Sequence, residues 1–296
     1  MKKWSVLLSL CLLTGCASAP AELEPAQSPP PSSPPPAAVE VQEEPPCSLT
    51  LDMVEWEDSV QSEDGTELAQ YRFSLPQLTT RRGDGTVIET AETEAETRAL
   101  AAAETFNGQF ADWTNEEPLR ELAETARAEW EWRRQEGIPW ETAFTEEMEC
   151  QVYQTERLVS VAANYYSYTG GAHPNTVLMA CNFDLESGSF LTPEQLAEDS
   201  EAFSQAVCEE ILRQIDCWAE ENGMEAEALF WDNYREIAAD WSSYAVSFDE
   251  SGMTVAFSPY ELAAYAAGSQ IFQMDYDFLE PFLSDEGRAL LDLAEE

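Results

Sequence analysis

From residue 47 onward the chain alternates between two hydrophobic periods. Leu49–Trp56 and Leu68–Leu75 repeat apolar and polar positions every second residue, with a turn around Asp64-Gly65, which predicts two paired strands. A second turn at Arg82-Gly83-Asp84-Gly85 leads to a helical stretch, Glu92–Trp113. Another helix opens at Thr114, with Glu117 in capping-box spacing. Its apolar face reads Leu119, Leu122, Ala126, Trp130; Arg133 and Arg134 sit in the last turn, where the helix dipole favours cations, and Gly137 stops it. Glu146–Gln154 and Leu158–Tyr168 predict a hairpin turning at Glu156-Arg157.

The second half has the same grammar. Thr176–Leu185 predicts a strand, and Thr192-Pro193-Glu194-Gln195 is a capping box with proline at the first helical position. The main helix is predicted over Glu198–Asn222, with Phe203, Val207, Ile211, Ile215 and Trp218 on its apolar face and Gly223 as its terminator. A shorter helix over Ala226–Ala238, a hairpin of Tyr244–Phe248 with Met253–Phe257, a strand at Ile271–Tyr276 and short helices at Phe278–Leu283 and Glu286–Leu293 complete the chain. Antiparallel hairpins with helices grouped between them read as α+β, in two intimately packed halves, 47–175 and 176–296.

The N-terminus has a different pattern. Lys2 and Lys3 precede the apolar run Val6–Leu13, too short for a mature spanning helix, and then Leu13-Thr14-Gly15-Cys16. This is the pattern of a bacterial lipoprotein signal over residues 1–15, with Cys16 as the lipidated residue. Acyl chains on Cys16 would hold the protein stably to a membrane. Residues 17–46 carry ten prolines, including Pro29-Pro30-Pro31 and Pro34-Pro35-Pro36. That composition favours an extended linker of about 3.1 Å per residue, a reach of roughly 90 Å. The expected location is the extracytoplasmic face of the cell membrane, lipid-anchored.

Charge narrows the partners. Both lysines lie in the signal, which leaves twelve arginines against 58 acidic residues and a formal charge of −46 after it. Nucleic acid and anionic lipid headgroups are excluded as electrostatic partners; cationic proteins, polyamines or divalent ions are favoured. Cys47, Cys150, Cys181, Cys208 and Cys217 remain beyond the signal, an odd number. Cys208 and Cys217 lie about 13 Å apart along a helix, too far to bridge. Cys47 with Cys150 is the favoured pair, with buried unpaired thiols as the alternative.

Specific chemistry is sparse. A single histidine, His173, cannot build a His-rich metal site, and no Gly-x-Ser-x-Gly elbow, P-loop or dinucleotide fingerprint is present. Neither cofactor nor metal is expected. Among so many acids, paired carboxylates for glycoside hydrolysis carry no specificity. Trp132 lies off its helix's apolar stripe, so an exposed indole and a packed one are both open readings.

Around the lone histidine runs Tyr166-Ser167-Tyr168-Thr169-Gly170-Gly171-Ala172-His173, followed by Asn182-Phe183-Asp184-Leu185, Ser187-Gly188 and Leu191-Thr192. Later come Gly252–Ala263 and Tyr265-Ala266-Ala267-Gly268. These ordered segments resemble the tandem extracytoplasmic domains of unknown function shared by the anti-sigma factor RsiV and the peptidoglycan deacetylase PdaC, over about residues 47–283. The sigma-binding and catalytic parts of those proteins have no counterpart in this chain. The resemblance implies a non-enzymatic binding or sensor module for a cationic protein such as lysozyme, or for cell-wall peptidoglycan. The alternative is a carboxylate-dependent envelope hydrolase. Gly170-Gly171 and Pro174 mark a structural hinge between the halves. Tyr165, Tyr166, Tyr168, His173 and Asn175 are the candidate ligand-binding residues.

Overall fold

The computed structural model describes residues 47–114 and 117–293; the expected signal at 1–15, Cys16 and the linker to residue 46 lie outside the described residues. Strands β1 (Cys47–Gln61) and β2 (Glu67–Arg82) form a long antiparallel ribbon in which Leu49 faces Thr80 and Trp56 faces Phe73. Its turn is locked by one carboxylate: Ser62 Oγ, Thr66 Oγ1 and Thr66 N all donate to Asp64, at 2.5, 2.7 and 3.1 Å. Those donors lower the Asp64 pKa to about 2, Ser62 contributing most.

Strand β3 (Phe144–Gln154) pairs with β2 in parallel, Ala69 opposite Phe144 through Ser74 opposite Glu149. A hairpin reading has no place for this pair, since parallel neighbours need a long crossover. Helices α1 (Glu94–Gly108) and α2 (Glu117–Glu136) supply it. Strands β4 (Leu158–Tyr168), β5 (Asn175–Asp184) and β6 (Ser189–Leu191) then add antiparallel, giving a six-stranded sheet in sequence order. A second, three-stranded antiparallel sheet holds β7 (Ala245–Asp249), β8 (Gly252–Phe257) and β9 (Gln270–Asp275). The architecture is α+β, as its alternating periods predict.

Period-two alternation in β4 divides the interior. Val159 and Val161 point into a core built with α1 and α2, among Phe73, Phe106, Leu122 and Phe183. Leu158 points the other way, into a second core made by α3 (Ser200–Asn222), α4 (Tyr234–Ala239) and the small sheet. Polar ties cross the seam: Phe248 N donates to Ser160 Oγ at 2.7 Å, Asn182 Nδ2 to Val246 O at 2.9 Å, and Leu178 N to Ser258 Oγ at 3.0 Å.

Several boundaries differ from expectation for local reasons. α1 starts at Glu94 because Thr93 is its N-cap, taking the Glu96 N–H at 3.1 Å. It ends near Asn107, whose amide is drawn to the Leu78 backbone at 2.8 and 2.9 Å. The helix expected over 226–238 is split, because Phe230 bridges Ala263 and Trp231 N donates to Leu262 O at 3.1 Å. Trp218, expected on the buried face of α3, is half-buried and set edge-on to Phe230, with Ala219 buried in its place. Trp132 is exposed. The Cys47–Cys150 bridge is not formed. Cys47 lies opposite Arg82, beyond the Ala69–Ser74 segment that β2 shares with β3, and Cys150 faces the first core; all five described cysteines are free thiols.

Candidate functional site

The Gly-Gly turn is the tip of the β4–β5 hairpin within the large sheet. Gly170 and Gly171 adopt φ of +88° and +97°, a path that side chains resist, and the turn leaves His173 exposed. The candidate residues separate there. Tyr165 is half-buried against the first core and shares a hydrogen bond with Glu146; burial, then the Glu146 charge, pushes its hydroxyl up to about 12. Tyr166 is half-buried between Glu147 and Thr176. Tyr168 Oη reaches the Gly171 carbonyl at 3.5 Å, and Asn175 is exposed opposite Ser167. His173 alone of the five joins the cluster described next.

That cluster comes from the loop after β8. Glu261 N donates to Ser258 O at 3.1 Å, closing a turn with Pro259 second and Tyr260 third, where Tyr260 is held at φ +77°. The third position of a turn with positive φ is normally glycine. Three contacts fix this one: the Trp231 indole donates to Tyr260 O at 3.1 Å, Ser258 Oγ anchors the loop to β5, and Tyr260 Oη meets His173 Nε2 at 3.3 Å. His173 also stacks on Tyr265, with ring centroids 3.8 Å apart and planes 19° apart. Tyr260 is 53% exposed and Trp231 37%. Along the sequence, Tyr260 and Tyr265 carry no mark beyond the motif segments; proline ahead of a strained tyrosine was the available signal.

Hydrogen bonding fixes the histidine's role. Nδ1 lies 2.8 Å from the Pro174 carbonyl, which only accepts, so Nδ1 carries a proton there, and Nε2 meets the Tyr260 hydroxyl at 3.3 Å. The recorded partners are thus a backbone carbonyl, a phenol and an aromatic face, an arrangement that presents rings. Elsewhere, a crevice of about 510 Å³ contains Trp113, Glu121 and Glu146. Burial raises the Glu146 pKa, the Tyr165 hydrogen bond opposes that, and the Glu121 charge adds to it. Among the described residues no group of three or more His, Cys, Asp or Glu is placed to hold a metal ion, and no helix is long and apolar enough to cross a membrane.

Residues 62–176 match the family model described as "Deacetylase PdaC", and residues 194–277 match that of "Protein of unknown function (DUF3298)". The chain is thus similar to a PdaC-type domain followed by a DUF3298 domain. His173 lies in the segment that matches the first model, and Trp231, Tyr260 and Tyr265 lie in the segment that matches the second, so the ring cluster lies where the two matched segments meet. Among solved structures the chain is similar to a member of the DUF3298 family from Bacteroides fragilis, at 13% identity and a TM-score of 0.57, over 86% of this chain and all of that one. A DUF3298 family protein from Pseudomonas aeruginosa PAO1 gives 15% identity and a TM-score of 0.47, over 81% of this chain and 96% of that one. The first likeness extends the shared fold across both the PdaC-type and DUF3298 domains. A search of curated proteins returns no match.

Proposed function

We propose that this protein is a lipid-anchored extracytoplasmic binding module with no catalytic step, and that it receives a cationic protein of the lysozyme kind on the ring cluster at the domain junction. The supporting observation is Tyr260: a strained, half-exposed tyrosine fixed from three sides is a preorganised anchor. Exposed aromatic residues of this type dominate interface energetics. The charge of −46 after the signal favours a basic partner and faster encounter with it. The anchor reading rests on Leu13-Thr14-Gly15-Cys16.

Calorimetric titration with lysozyme at low salt tests the reading. Saturable binding is expected, weakened by 0.5 M salt and reduced about tenfold or more by Tyr260→Ala. No heat, or an affinity indifferent to Tyr260, would discard it. Soluble peptidoglycan fragments are the second probe, since exposed rings also stack on sugars. Cys16→Ser should abolish incorporation of labelled fatty acid.

The crevice at Glu146 favours a second reading, a carboxylate-dependent envelope hydrolase. A half-buried carboxyl with a raised pKa beside a second carboxylate is the acid and base pairing of glycoside hydrolysis. Release of reducing ends from peptidoglycan, lost in Glu146→Gln, would favour it over the first.

A further inference from the structure

Away from the ring cluster, α3 ends over a crevice of about 610 Å³ containing Asp216, Glu220, Glu225, Glu227, Tyr234 and Arg235. Three features there favour a positive charge. The 23-residue helix α3 terminates at Gly223 in the left-handed conformation, which turns the negative end of its dipole toward this site. The four carboxylates are exposed, and among the described residues only Asp216 has an ion-pair partner, Arg235 at a marginal 4.0 Å. Tyr234 is 1% exposed, and its hydroxyl has no hydrogen-bond partner among the described residues. Tyr234 lines the crevice, and beyond burial itself the charges that act on its hydroxyl belong to Arg235, Glu227 and Asp216.

A buried phenol oxygen without a partner is a rare and costly condition. The chain already shows what suits the position: the Arg235 guanidinium lies over the Tyr234 ring, 4.8 Å from its centroid. Arg235 is itself largely exposed, so it is a displaceable cover. Because no three described acids converge on one point, the negative charge is spread along the crevice. That distribution suits a chain bearing several separated cationic centres better than a single metal ion.

We infer that this crevice binds a linear alkylammonium chain: one ammonium displaces Arg235 and donates to Tyr234 Oη, and the others pair with Asp216, Glu220, Glu225 and Glu227. This site is independent of the proposed ring-cluster surface. Two sources share the chemistry, a free polyamine and a run of lysine side chains, so spermidine and trilysine are titrated separately into the full chain at 0.15 M salt. Saturable one-to-one binding of either is expected. Tyr234→Phe and Glu227→Gln should each weaken it about tenfold, the loss of one charge-assisted hydrogen bond or ion pair. Glu104→Gln, which removes the same charge from the exposed face of α1, should leave it unchanged. Tyr234→Phe should also raise the Tm of the free protein by roughly 2–4 °C, because a hydroxyl without a partner has been removed. Absence of saturable binding by both probes overturns the inference, as does binding that Glu104→Gln weakens as much as Glu227→Gln, or a Tyr234→Phe protein that binds undiminished.

Discussion

Tyr260 is the residue at which conformation and exposure disagree most. Its backbone occupies a region that costs a non-glycine residue about 1–3 kcal/mol, while half its side chain reaches solvent. If the ring served the fold, Tyr260→Gly would destabilise it. The expectation is the reverse: a Tm raised by strain relief worth about 1 kcal/mol, alongside lost affinity for lysozyme, read by thermal melts and calorimetry. Glu96 makes a different case. Its side chain is 1% exposed and takes Arg82 Nε at 2.7 Å and Glu92 N at 2.6 Å. Chiefly through Arg82, these hold its pKa below the ordinary 4.5. A carboxylate so lowered gives stability that is complete above its ordinary value and is lost as pH falls through the folded one. Denaturant melts should therefore show Glu96→Gln less stable than wild type at pH 7, with a shallower decline below pH 4.5 and converging curves at the acid end.

At the scale of elements, legibility followed whether local pattern or distant contact decided the outcome. The amphipathic face of α3 was plain because Phe203, Val207, Ile211 and Ile215 recur at helical spacing and all four are buried. Ile211→Ala should cost roughly 2–5 kcal/mol, measured by urea unfolding, since its surroundings can collapse only in part. The ends of β1 and β2 extend beyond their alternating stretches, because much of β1 is exposed and the ladder continues where no apolar period marks it. The parallel β2–β3 pair was hidden for another reason: two helices intervene, and no local signal states which strand a crossover returns to. The ring cluster divides the same way. A lone histidine in a Gly-Gly turn draws notice, whereas its stacking on Tyr265 joins residues more than ninety positions apart.

Across the whole molecule, two cores share one sheet, and the seam between them is held by a few polar ties. Ser160→Ala would leave the buried Phe248 N–H without its acceptor, for a loss of about 1–3 kcal/mol in a chemical melt. The sequence motifs and the sheet also divide the chain at different points. The PdaC-type match ends at residue 176, yet β5 and β6 complete the large sheet through Leu191. β5 also bears Asn182 and Leu178, the residues tied to the second core. One strand is therefore a member of two folding neighbourhoods, joined to the first through the exposed tip at Gly170 and Gly171. The consequence is reciprocity between chains. A cut at that tip would leave two fragments, each completing the other, and two intact molecules that opened there could exchange strands and close again as an interlocked pair.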